Sequence, residues 1–134
     1  MRDIILVTPA EYDLASIKRN LPAGANCLLD DVECRLVVAL DGADDVVEFV
    51  SNKALSEYYD DPHEIELLSS MGSSPNFFIV HFKDIEHLKL VIISVANRPD
   101  VLVDNDFGQV ESGDEFARRC KASPGWDWIQ MGGV

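Results

Sequence analysis

From Ala25 to Leu40 the side chains divide by strict alternation into two sets. With Asp30 and Asp31 as the turn, Ala25, Cys27, Leu29, Val32, Cys34, Leu36, Val38 and Leu40 share one face. Asn26, Leu28, Glu33, Arg35, Val37 and Ala39 share the other. Period two sustained over this length marks an antiparallel pair with one buried face, so the chain is committed to a sheet. This register places Leu29 opposite Val32 and Cys27 opposite Cys34. A two-residue turn prefers glycine at its second position. A longer loop that moved the pairing by one residue would reverse the faces.

The remaining apolar residues come in short runs, several followed by helix-start signals. Ile4–Val7 reads as a buried strand. Thr8-Pro9-Ala10-Glu11 has the form of a capping box with proline at the first helical position. Ala10, Leu14, Ile17 and Leu21 then fall on one helical face, and Pro22 and Gly24 stop it. Val46–Val50 is expected to extend the sheet, with residues 52–59 as a short helix; a continuous helix capped by Asp45 is the alternative. Asp61-Pro62-His63-Glu64 starts a helix that Gly72 ends. Phe77–Phe82 reads as a strand. Asp84 caps a helix carrying Ile85, Leu88, Ile92 and Val95, although Leu90–Val95 also reads as a strand. Val101–Val103 is a short strand, and Ser112-Gly113-Asp114-Glu115 opens a last helix through Cys120.

Strands alternating with helices in this order point to one α+β domain spanning residues 1–134. We expect a mixed, mainly antiparallel sheet with helices packed on one face, and a ferredoxin-like or related split arrangement is one candidate.

Charge narrows the partners. Among 134 residues, 24 acids face 11 bases, a formal net charge of −13. Residues 41–66 concentrate the excess, with nine acids against Lys53 alone. Such a chain repels phosphate backbones and anionic membranes, which argues against nucleic-acid or membrane partners. It would attract and steer a basic protein. Net charge also serves solubility whether or not the chain binds anything. The three cysteines, Cys27, Cys34 and Cys120, form neither a disulfide framework nor a zinc spacing. Reduced thiols point to the cytoplasm. The acid at position 3 does not suit a signal peptide, and no apolar run reaches the ~20 residues of a membrane-spanning helix.

No motif carries a reaction. Asp104, Asp106 and Glu115 match positions one, three and twelve of a calcium loop, but Gly108 and Gln109 occupy positions five and six, so the sharp turn fails. Asp106-Phe107-Gly108 matches a kinase triplet in a chain that lacks the other kinase segments. His63, His81 and His87 have no metal spacing. No catalytic residue, metal site or cofactor is therefore expected. Trp126, Trp128, Ile129 and Met131 suggest a tail that docks on the core or on a partner.

The stretch from Val101 to Ala117, Val-Leu-Val-Asp-Asn-Asp-Phe-Gly-Gln-Val-Glu-Ser-Gly-Asp-Glu-Phe-Ala, resembles the C-terminal part of small bacterial proteins. Some of these are immunity proteins encoded beside secreted polymorphic toxins. The resemblance implies an α+β cytoplasmic protein that blocks a toxin by binding it, and it transfers no catalytic residues.

Together these readings point to a non-enzymatic acidic binding protein for a basic partner. The expected contact residues are Asp41, Asp44, Asp45, Glu48, Glu57, Tyr58, Tyr59, Asp60, Asp61 and Glu64. The competing expectation is a small ligand-binding domain or enzyme assembled from Asp104, Asp106, His81 and Cys34.

Overall fold

The computed structural model describes residues 2–40, 45–72, 74–105, 110–123 and 125–126. Seven strands form one sheet in the order β2-β3-β4-β5-β1-β6-β7, and every neighbouring pair is antiparallel. The strands are β1 (Arg2–Thr8), β2 (Asn26–Asp30), β3 (Arg35–Ala39), β4 (Val46–Ser51), β5 (Asn76–Phe82), β6 (Leu102–Asp104) and β7 (Val110–Ser112). The helices are α1 (Leu14–Arg19), α2 (Pro62–Ser69), α3 (Ile85–Val95) and α4 (Gly113–Ala122), with a 3₁₀ turn at Lys53–Tyr58. The chain is thus α+β.

Strands β5 and β6 are joined through α3 with β1 lying between them, which is a split β-α-β unit. Strands β1 and β4 flank β5 in the same way. The β2–β3 hairpin is inserted before β4 and extends one edge of the sheet, and β7 extends the other. The order of the four central strands is compatible with a ferredoxin-like arrangement, one of the candidates the sequence offers.

Alternation along each strand feeds two unequal cores. On one face Ile4, Leu6, Leu36, Val38, Val47, Phe49, Phe78, Val80, Phe82 and Val103 meet Ile17 of α1, Leu88, Val91, Ile92 and Val95 of α3, and Phe116 and Cys120 of α4. On the other face, among the described residues, Val7, Phe77 and Leu102 meet Leu55 and Tyr59, with Leu67 and Leu68 of α2 and Met71 just after it packed partly against them. The longer helices therefore share a face, and α2 with the 3₁₀ turn lies thinly across part of the opposite one.

The hairpin differs from its expected register. Leu29 pairs with Leu36 and Cys27 with Val38, because Asp31–Cys34 form a four-residue loop. The Asp30 carboxylate accepts from the N–H groups of Val32 at 3.1 Å and Glu33 at 3.0 Å. This side-chain turn stands in for the missing glycine. The pairing moves by an even number of residues, so both faces survive, but Val32 and Cys34 leave the strand for solvent. Cys34 takes a positive φ of 52° in the loop.

The helix expected from Thr8 begins instead at Leu14. The Thr8 hydroxyl donates to the Tyr12 carbonyl at 2.6 Å and closes a turn, and Asp13 becomes the cap through the Ser16 N–H at 3.0 Å. At α4 the Ser112 side chain makes no capping bond. The N–H of Gly113 donates to the Val101 carbonyl at 2.7 Å and that of Asp114 to the Arg98 carbonyl at 3.1 Å. Main-chain carbonyls thereby satisfy donors that a cap would otherwise serve. This approach leaves no room for a side chain at residue 113, where a Cβ would lie 1.9 Å from the Ala96 carbonyl oxygen. The α2 and α3 caps, Asp61 and Asp84, are as the sequence suggests.

Candidate functional site

Among the described residues the acidic stretch does not form one surface. Asp45, just before β4, sits on the face that carries the long helices. It pairs with the His87 Nδ1 at 2.7 Å and accepts from the Asp84 N–H at 3.2 Å. It is thus tied to the start of α3. Glu48 projects from the opposite side of β4, lies 3.7 Å from the Arg35 guanidinium and faces His81 on β5. Both carboxylates are engaged within the fold. Asp41 and Asp44 lie outside the described residues.

Tyr59 also turns inward and is only 9 % exposed. Its ring lies over Phe77, with centroids 6.1 Å apart, and its hydroxyl donates to Asp104 Oδ2 at 2.8 Å. Burial of the ring together with an acceptor for its hydroxyl is the usual demand of a core tyrosine. Tyr59 therefore anchors the 3₁₀ segment from the inside of the fold.

What remains is a smaller group on the thinly covered side. Tyr58 is 72 % exposed, and Glu57, Asp60 and Asp61 are exposed beside it in the sequence. Asp61 spends its carboxylate on the His63 and Glu64 N–H groups at the start of α2. None of Glu57, Asp60, Asp61 and Glu64 makes a salt bridge to a described residue. Glu64 is half-buried, and its carboxyl is pushed above the usual range, first by desolvation and then by the like charges of Asp104, Asp61 and Asp60; only His63 opposes this. Among the described residues no lysine or arginine pairs with this negative charge.

The residues of the competing reading do not converge. His81 sits near the end of β5, 3.6 Å from Asp3. Cys34 lies near the other end of that strand, in a cleft of about 210 Å³ bordered by Asn76 and Phe78. Asp104 is committed to Tyr59, and Asp106 lies outside the described residues, as do the Gly108 and Gln109 that break the calcium-loop match. No cluster of three metal-binding side chains occurs among the described residues. Cys120 is buried, and its thiol is pushed up to about 11 by desolvation, which makes it a packing residue. Trp126 docks on the chain's own core, 5.4 Å from the Phe116 ring and beneath the Arg119 guanidinium. Trp128, Ile129 and Met131 lie outside the described residues. No described helix is long and apolar enough to cross a membrane.

One feature was not read from the sequence. A groove of about 720 Å³ runs between the end of α2, the turn after β1 and the loop leading into β6. Leu67, Met71 and Leu102 give it an apolar lining, and Glu11 and Asp100 border it. Asp100 holds Arg98 by two bonds of 2.8 and 2.7 Å, which keeps its carboxyl below the usual range. The guanidinium of Arg98 in turn lies 4.1 Å over the Tyr12 ring. Pro9, read in the sequence as a helix-start residue, and Pro99 also line the groove; their meeting depends on β1 and β6 being neighbours.

Comparison with protein-family models, with curated proteins and with solved structures finds no match for this chain.

Proposed function

We propose that this chain is a non-enzymatic binding protein that neutralises a basic protein partner in the cytoplasm, in the manner of an immunity or inhibitor protein. The observation that carries the reading is the uncompensated negative charge around the exposed Tyr58. Glu57, Asp60 and Glu64 make no salt bridge to a described residue, and, beyond desolvation, the like charges of Asp104, Asp61 and Asp60 outweigh His63 in raising the Glu64 carboxyl. A monomer gains no stability from such an arrangement, since like charges repel. A basic partner would relieve it, and the long-range field would speed encounter. Tyr58 supplies the large amphipathic side chain that anchors interfaces. Three free cysteines fit a reducing compartment.

The contact surface in this reading is narrower than the sequence suggested: Glu57, Tyr58, Asp60, Asp61 and Glu64, without Asp45, Glu48 and Tyr59. The test is copurification with the products of adjacent genes, followed by association kinetics at low and high salt. A complex is expected whose association slows as salt rises and whose affinity falls about tenfold or more with Tyr58→Ala. Failure of every adjacent gene product to form a complex at low salt would overturn the proposal.

A further inference from the structure

We infer that the groove bordered by Glu11 and Asp100 receives a lysine or arginine side chain of the basic partner. This rests on the reading of the chain as a binder of basic proteins and assigns the partner's side chain a place. The groove's volume of about 720 Å³ lies in the range that ligand sites occupy. Its lining has two characters. Leu67, Met71 and Leu102 are apolar, and the acidic residues Glu11 and Asp100 stand beside them in the lining. A long aliphatic stem ending in a cation matches both at once.

Two further observations fix the sign of the occupant. The C-terminal end of α2 contributes Leu67, and Ser70 and Met71 follow it along the groove; no basic residue stands in the last turn of that helix. A helix C-terminus left this way favours a cation. Asp100 is already held by Arg98, but Glu11 makes no salt bridge to a described residue. A neutral apolar occupant would desolvate Glu11 without compensation. A second copy of the chain, with its net charge of −13, would meet general repulsion.

The test uses capped arginine (N-acetyl-arginine methylamide) as the probe, with capped citrulline as a neutral control of nearly the same shape. Amide chemical shifts of the whole protein are followed on titration. Saturable shifts are expected at Glu11, Ser70, Met71 and Asp100, with citrulline binding about fivefold more weakly or worse. Glu11→Gln should remove most of that difference, whereas Glu33→Gln, in the exposed hairpin loop, should leave it. Absence of saturable shifts at those amides, or equal binding of citrulline, overturns the assignment. The two readings separate through a copurified partner. Affinity that falls with Tyr58→Ala but ignores Glu11→Lys removes the groove and keeps the basic partner. Arginine that enters the groove of a chain with no basic partner supports the groove and removes the proposed function.

Discussion

The two faces of the sheet are built to different standards. One buries Phe49, Phe82, Phe116, Leu88 and Ile92 completely under three helices. The other is crossed by a 3₁₀ turn and by α2, none of whose residues is fully buried, and Leu28 on β2 stays 68 % exposed on that side. Packing density explains what each face can do. The thick face holds the fold together, since buried apolar area is the main favourable term. The thin face has little packing to lose, so it can carry exposed Tyr58, uncompensated carboxylates and an open groove.

The sharpest way to break this contrast is through the joint between α3 and α4. Gly113→Ala would drive a methyl group into the Ala96 carbonyl. It should cost about 3 kcal/mol or more by chemical denaturation. Phe49→Ala, in the centre of the thick face, should cost about 3–5 kcal/mol. Leu67→Ala, in half-buried α2, should cost about 1–2 kcal/mol, near one lost methylene or two in a partly exposed site. Equal losses for Phe49→Ala and Leu67→Ala would erase the distinction between the faces.

A smaller effect tests whether α2 opens by itself. Asp61 caps it by accepting from two N–H groups at 2.8 and 3.3 Å. Asp61→Ala should remove about 1 kcal/mol. In hydrogen exchange the α2 amides should lose protection while those of α3 keep theirs, since thinly packed segments unfold locally. Uniform loss across both helices would mean that α2 belongs to the same cooperative unit as the core.

How much of this could be read beforehand follows from the range of the interactions involved. Local signals were legible: the alternation of Leu36 and Val38, the caps Asp61 and Asp84, the strand at Phe77–Phe82. Each depends on residues close in sequence. Thr8 misled because its hydroxyl had two possible local uses, and the one that won is reinforced by Asn76, 68 residues away, whose side-chain amide reaches it at 3.1 Å. The hairpin loop was misjudged because Asp30 makes its own turn. Strand β7 is three residues long and lacks a pattern of its own. The site fared worse than the fold. Nearness in sequence grouped Asp45, Glu48 and Tyr59 with Tyr58 and Glu64, yet alternation along β4 sends Asp45 and Glu48 to opposite faces, and Tyr59 is claimed by Asp104. The groove was invisible, since Glu11, Met71 and Asp100 meet only through the sheet order.

The smallest effect concerns acid, and it separates the faces by sign. Glu64 on the thin side and Glu111 on the thick side both have carboxyls raised first by desolvation. Such groups bind protons more tightly folded than unfolded, so stability rises as pH falls from neutral toward about 5. Asp13 and Asp100 are lowered, first by hydrogen bonds from Ser16 and from Arg98 respectively. Their contribution is complete above the ordinary aspartate range and is lost as pH falls through their folded values, which sets the acid limit. Removing the two raised groups should have different consequences. Glu64 has no cationic partner other than His63 nearby, so Glu64→Gln should slightly raise Tm at neutral pH and flatten its rise between pH 7 and 5. Glu111 leaves Oε1 without a hydrogen bond but holds Arg119 at 2.6 Å through Oε2, beside Trp126. Glu111→Gln relieves the one and weakens the other, so it should flatten the same slope without raising Tm. A slope unchanged by Glu64→Gln would mean that the charge around Tyr58 is compensated after all, and the thin face would lose its claim to a basic partner.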